Sequence, residues 1–296
     1  MSDINCKTFL SDHTMLDGVQ RREFLGELRK KAGKMYMSSE ELILATAIAE
    51  KAARDAGRYL LENLGSAQIQ YEKSANDYLL DVDLGAERII LPQLQVAFPT
   101  YGILSEEAGL FGDEEAYWVV DPLDGSSNFQ HGNPQFGVAI ALVQQRKTVL
   151  GIIYIPTYDE LFTALLGKGA TLDGNPIHVS ENRNLNMSLI HSGGFTKSGD
   201  PHGNSLRTIE LERIANGAKQ LRITGTSALD FVSLACGRAD GLVSHMTSAW
   251  DINAGELLVT EAGGRFSVHQ GEEPKKVRIY SNGYIHDELV ALVVSQ

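Results

Sequence analysis

Between Trp118 and Gly132 the chain reads Trp-Val-Val-Asp-Pro-Leu-Asp-Gly-Ser-Ser-Asn-Phe-Gln-His-Gly, and this segment leaves few ways to fold it. A short apolar run reaches Asp121, and Pro122, which has no backbone N–H, predicts that the strand ends there. Asp124 follows three residues later, then Gly125 and two hydroxyls. Two acids held in a rigid turn suit a hard cation that takes oxygen ligands. A glycine and small polar residues opening a helix suit a phosphate, because free N–H groups there point at an anion. One turn is therefore expected to hold both a metal and a phosphate.

The charge balance agrees. Lys plus Arg number 26 and Asp plus Glu 38, a formal charge of -12. An acidic surface repels a phosphate backbone, so nucleic acid is not an expected partner. A small phosphate substrate would need the local charge inverted, which bound divalent cations supply. With 43% hydrophobic residues the 296-residue chain can bury a core as one large domain or two close-packed halves. Cys6 and Cys236, the only cysteines, cannot build a disulfide framework or a cysteine-rich zinc site. The polar first residues do not read as a secretory signal, and no apolar run approaches a membrane span. The expected setting is cytoplasmic, with no membrane partner.

Residues 1–37 read as a partly disordered extension with a basic cluster from Arg29 to Lys34. At Ser38 and Glu41 a capping box opens a long helix, with Leu42, Ala45, Ala49, Ala52, Ala56 and Tyr59 on one face. A second helix is predicted from Leu84 to Ala97, before Pro99. From Phe136 to Val179 the runs are β-rich, with a Gln-Gln-Arg-Lys turn and an Asp173-Gly174 hairpin signal, and predict an antiparallel meander. Beyond about Met187, strands near Leu189, Leu221 and Gly241–Ser244 alternate with helices near Leu206–Asn216, Ala228–Cys236 and Asp251–Ala262. The expectation is an α+β half over residues 38–187 joined to an α/β half over residues 188–296.

Acids gather at four places: Glu106-Glu107 after the run Gly102–Leu104, Asp121 and Asp124 in the turn, Asp251 after Trp250, and Asp77, Asp81 and Asp83 after Lys73. Any one could be a helix cap or a solvated acid, and Ser126 an N-cap. Together they resemble the inositol monophosphatase family of magnesium-dependent, lithium-sensitive phosphomonoesterases. The family's first motif is matched by Asp121-Pro122-Leu123-Asp124-Gly125-Ser126, continuing to Asn128-Phe129 and His131-Gly132. Its second is matched by Trp250-Asp251 through Glu261-Ala262-Gly263-Gly264, and its acidic pair by Glu106-Glu107. The match runs in order from Ser38 to the C-terminus.

The resemblance implies a layered αβαβα sugar-phosphatase fold, with an antiparallel sheet in the N-terminal half, a second sheet in the C-terminal half, and the site between them. It implies two or three Mg²⁺ ions. Glu106, Asp121 and the Leu123 carbonyl would hold the first; Asp121, Asp124 and Asp251 would hold the second, with Asp121 bridging. A metal-activated water would hydrolyse a small sugar or polyol phosphate monoester, oriented by Ser126 with Asp83 and supported by Glu106. Asp124, Gly125, Ser126, Ser227 and Ser244 fall at substrate-binding positions. A homodimer is also implied. Two departures stand out: Leu80 where threonine is usual, and Ser244, seven residues before Asp251, where inositol-preferring relatives carry glutamate. The competing readings are a nucleotide or fructose-bisphosphate phosphatase, and a non-catalytic regulatory protein.

Overall fold

The computed structural model describes residues 37–66, 69–74, 77–195, 201–270 and 276–294; the side chains of residues 70–79, 201 and 202 lie outside that set. The reading of residues 1–37 as an extension therefore falls almost wholly outside it, as do the side chains of Lys73 and Asp77.

The first helix, α1 (Ser39–Glu62), opens on the expected capping box. Ser38 N–H donates to Glu41 Oε2 at 2.8 Å, and Glu41 N–H donates to Ser38 Oγ at 3.2 Å. Ala45, Ala49, Ala52, Ala53, Ala56 and Leu60 form its buried face. These small side chains permit close approach, and at Gly57 a Cβ would lie 2.5 Å from the Tyr154 ring. The hairpin β1 (Ile69–Ser74) and β2 (Asp77–Leu80) leads into α2 (Asp81–Ala97). This helix starts three residues before the sequence suggests, because the Asp83 carboxylate accepts the Leu80 N–H at 2.7 Å and caps it.

An eight-stranded sheet follows, built from β3 (Gly102–Ser105), β4 (Gly109–Phe111), β5 (Ala116–Asp124), β6 (Gly137–Gln144), β7 (Lys147–Ile155), β8 (Glu160–Leu165), β9 (Gly169–Leu172) and β10 (Asn175–Ile177). Its order is β10-β9-β8-β7-β6-β5-β3-β4. The meander is antiparallel as expected, and β3 alone pairs in parallel, with β5. The turns obey local chemistry: Gln145 and Arg146 both take positive φ, as do Asp173 and Gly174. Every residue of β6 is buried, so this central strand shows no apolar–polar alternation.

A five-stranded sheet of order β12-β11-β13-β15-β14 uses β11 (Leu189–Ser192), β12 (Gln220–Arg222), β13 (Gly241–Ser244), β14 (Arg265–Gln270) and β15 (Lys276–Ser281). β11 runs parallel to β12 and β13, while β13, β15 and β14 are antiparallel. Between the two sheets lie α5 (Ser227–Ala235) and α6 (Ala249–Glu261). Their apolar residues share one core with Val119, Ala139 and Ile153 of the first sheet and Leu242 and Tyr280 of the second. Outside the second sheet, Ile214 of α4 (Pro201–Gly217) and Leu289 and Val293 of α7 (His286–Val294) pack on Ile190, Val243 and Ile279. With α1 and α2 against the first sheet, the layers are αβαβα.

Two local expectations need correction. Pro122 does not end the strand, since β5 continues to Asp124. The pairing is irregular there: Asp121 opposes Ala139 and Asp124 opposes Gly137, three steps against two. Pro122 sits in that bulge, where no ladder N–H is required. Nor is Ser126 an N-cap. Gly125, with φ 91°, caps the short helix α3 (Ser126–Gln130), and Ser126 is its first residue.

Candidate metal and phosphate site

On a regular strand, residues three apart face opposite sides of the sheet. The β5 bulge cancels that alternation and lets Asp121 and Asp124 converge. Asp251, in the first turn of α6, completes the group: Asp121, Asp124 and Asp251 each offer a carboxylate oxygen, all within 4.8 Å of one another. Its helix N-terminus favours a negative charge. Glu106 follows β3, and its N–H donates to Val120 O at 3.1 Å, extending the parallel pairing by one residue and setting it beside Asp121.

The electrostatics follow from this crowding. Burial pushes the Asp121 carboxyl well above the usual carboxylate range, and repulsion from Glu106, Asp124, Asp251 and Asp83 pushes it further. Burial also raises Asp124, opposed by hydrogen bonds from Thr226, Ala228 and Ser227. Those donors converge on one oxygen: Thr226 Oγ1 at 2.6 Å and Ser227 Oγ at 3.1 Å donate to Asp124 Oδ2, and the Ala228 N–H joins them. An all-oxygen, multiply negative donor set of this kind fits Mg²⁺.

Beside the acids, Ser126 Oγ lies 3.0 Å from the Leu123 carbonyl and 3.3 Å from Asp83 Oδ1, so one hydroxyl proton has two acceptors. Asp83 is buried and fixed by its bond to Leu80 N–H. Gly125 is required in the turn: a Cβ there would meet Gln135 O at 2.9 Å, in a left-handed backbone.

Thus Asp121, Asp124 and Asp251 meet, Glu106 and Asp83 act on Asp121, Ser126 touches Asp83 and Leu123, and Ser227 touches Asp124. Ser244 is buried at the end of β13, its Oγ accepting Met246 N–H at 3.2 Å. Two supports escaped the sequence reading. Thr226 caps α5 while donating to Asp124, and a threonine before an apolar helical run is a recognisable cap. Glu87, one turn beyond Asp83 on α2, accepts from Ser105 Oγ and, at 3.1 Å, from Ala108 N–H, pinning the turn that carries Glu106. Two acids at i and i+4 were the available signal.

Comparison with known proteins identifies the lineage. The model of the inositol monophosphatase family matches residues 42–296. An inositol-1-monophosphatase of Mesorhizobium japonicum is 41% identical over 75% of this chain and 84% of its own. A Nus factor SuhB of Xylella fastidiosa is 38% identical over 79% and 85%, and a fructose-1,6-bisphosphatase/inositol-1-monophosphatase of Thermotoga maritima 33% over 82% and 93%. The crystal structure of the extragenic suppressor protein suhB of Bartonella henselae superposes with a TM-score of 0.78 at 36% identity, covering 84% of this chain and 98% of that one. The chain belongs to the inositol monophosphatase family, and that membership supports a phosphatase.

Proposed function

We propose that this protein is a Mg²⁺-dependent phosphatase of small sugar or polyol phosphate monoesters, acting in the cytoplasm as a homodimer. The observation that carries the reading is the convergence of Asp121, Asp124 and Asp251, with Asp124 held by three donors on a single oxygen. Glu106, Asp121, the Leu123 carbonyl, Asp124 and Asp251 would hold two or three ions. When bound, these cations supply Lewis-acid activation of water and neutralise phosphate charge.

The chain's own groups do the remainder. Asp83 is a fixed proton acceptor behind the Ser126 hydroxyl, so Ser126 can present its oxygen to an attacking water and pass a proton inward. Gly125 and Ser126 offer backbone N–H groups to phosphate oxygens. Ser227 joins the site through its hydrogen bond to Asp124. Ser244, lacking a carboxylate, recognises the alcohol portion differently from a glutamate at that position.

Two relatives supply the alternative readings through their names. The name of the Thermotoga maritima protein, which pairs fructose-1,6-bisphosphatase with inositol-1-monophosphatase, supports a fructose-bisphosphate phosphatase, and the Nus factor supports a regulatory binding role; the nucleotide phosphatase rests on the superfamily resemblance alone. A panel of inositol monophosphate, fructose 1,6-bisphosphate and a nucleotide phosphate, assayed with Mg²⁺, separates them. Fastest turnover of the polyol monoester supports the proposal. Preference for the bisphosphate or nucleotide would replace the substrate class, and hydrolysis of none would favour the regulatory role.

A further inference from the structure

Opposite the acidic group, a second buried polar chain ends at the same carboxylate. His191, on β11, points into α5, where its Nδ1 lies 2.7 Å from Asp230 Oδ1; both side chains are almost wholly buried. Asp230 Oδ1 also lies 2.7 Å from Thr224 Oγ1. Thr224 Oγ1 accepts the Thr226 N–H at 3.3 Å, and its own proton has two acceptors, Asp230 Oδ1 and, at 3.1 Å, the Thr226 carbonyl, so the hydroxyl ties Asp230 to the turn. Thr226 and the two residues after it are the donors on Asp124 Oδ2. The contacts thus run without a gap from His191 to Asp230, to Thr224, to the 224–228 turn, and to Asp124.

We propose that the buried His191–Asp230 pair is a positioning unit for Asp124, setting the affinity of the carboxylate cluster for divalent cations from the far side of α5. The proposal rests on the metal reading of that cluster. Three features distinguish the pair from a simple packing contact. Burying two ionisable groups is costly unless they are paired and further hydrogen-bonded, and here Thr224 supplies the additional bond. The turn it grips contains Gly225 at φ 81°, a backbone with wide conformational freedom that needs an external anchor. A second anchor, the Asn128 side-chain amide, holds the Thr224 carbonyl at 2.9 Å from the α3 side, so the turn is fixed from both flanks. The three donors can converge on Oδ2 only while that turn keeps its shape. His191 therefore acts through Asp230 and the turn, without touching the reacting groups.

The test is calorimetric titration of the full-length protein with MgCl₂, without substrate, alongside melting in EDTA. His191→Ala and Thr224→Val should each weaken Mg²⁺ binding by about 10-fold or more, the usual effect of losing a group that orients a metal ligand. His191→Asn, which keeps a donor for Asp230, should return the affinity close to wild type. Native Mg²⁺ affinity in Thr224→Val overturns the proposal, including in the event that His191→Ala does not fold. So does a lowered melting temperature in His191→Ala with unchanged affinity, the signature of a merely structural pair. Absence of Mg²⁺ binding by the wild-type protein overturns the metal reading and this proposal together. Normal wild-type binding with no hydrolysis of any ester, together with weakened binding in His191→Ala and Thr224→Val, contradicts the phosphatase reading and supports the positioning role.

Discussion

Asp124 illustrates how a single residue's role depends on what surrounds it. Its Oδ2 collects three donors, so in Asp124→Asn the amide oxygen is drawn to that position and the NH₂ group replaces Oδ1. A donor then faces the cation. The variant should lose more activity than the about 10–100-fold typical of altering a supporting group, and calorimetry should find Mg²⁺ binding abolished. Its melting temperature in EDTA should be unchanged or higher, because one charge leaves a self-repelling cluster; a marked drop would show a structural role instead. Gly125 makes the opposite case, a residue whose value is conformational. Gly125→Ala forces a side chain into φ 91° against Gln135 O, and urea unfolding should show a loss of about 1–2 kcal/mol or more. The acids and Gly125 were readable from sequence because their chemistry is local. The bulge that makes Asp121 and Asp124 converge was not: Pro122 signals only a missing donor, and the neighbouring strand decides whether the ladder stops or skips.

At the scale of elements, α6 carries Asp251 and depends on a glycine. A Cβ on Gly255 would lie 2.1 Å from Phe231 Cγ of α5, so the two helices touch only because none is present. Gly255→Ala should cost about 1–3 kcal/mol in chemical denaturation through overpacking, and should weaken Mg²⁺ binding as α6 shifts Asp251. Retention of both properties would show that the helices can yield. At the other end of the second sheet, His286 opens α7 with its ring nitrogens at 2.9 Å from the Ser267 and Ser281 hydroxyls. Burial and the nearby Arg265 cation hold it down at about 4, against 6.5 for an ordinary histidine. Between those values the unfolded chain binds the proton and the native one does not. Stability is therefore complete above about 6.5 and falls as pH drops toward 4, by at most about 1.4 kcal/mol per pH unit from this group. Unfolding titrations at pH 7, 6 and 5 should show the slope, and His286→Asn should flatten it. An identical slope in the variant would assign the pH effect elsewhere. Helices were legible where polar and apolar positions alternate, as in α1, and hairpins where turn residues announce them. β14, β15 and α7 went unread: β14 exposes Phe266 and Val268, and pairing with β15 supplies what its own residues do not signal.

The molecule as a whole sets a net charge of -12 against a proposed anionic substrate, and its layers put the acids of β5, α6 and the β3 turn at one place. Among the described residues no helix is long and apolar enough to cross a membrane. The αβαβα stacking became legible through family resemblance; periodicity alone indicated two textures, a β-rich stretch and an alternating one. The alcohol portion was less legible, since Ser244 is buried and bonded within its own turn, and its surroundings are assembled from distant segments. The carboxylate cluster is proposed to be a divalent-metal site that hydrolyses phosphate monoesters. The deciding measurement is phosphate release from the ester panel, in EDTA and then across a titration of free Mg²⁺. Rates should fall to background in EDTA and recover fully with Mg²⁺. Undiminished hydrolysis in EDTA, or no hydrolysis of any ester at saturating Mg²⁺, would contradict the proposal.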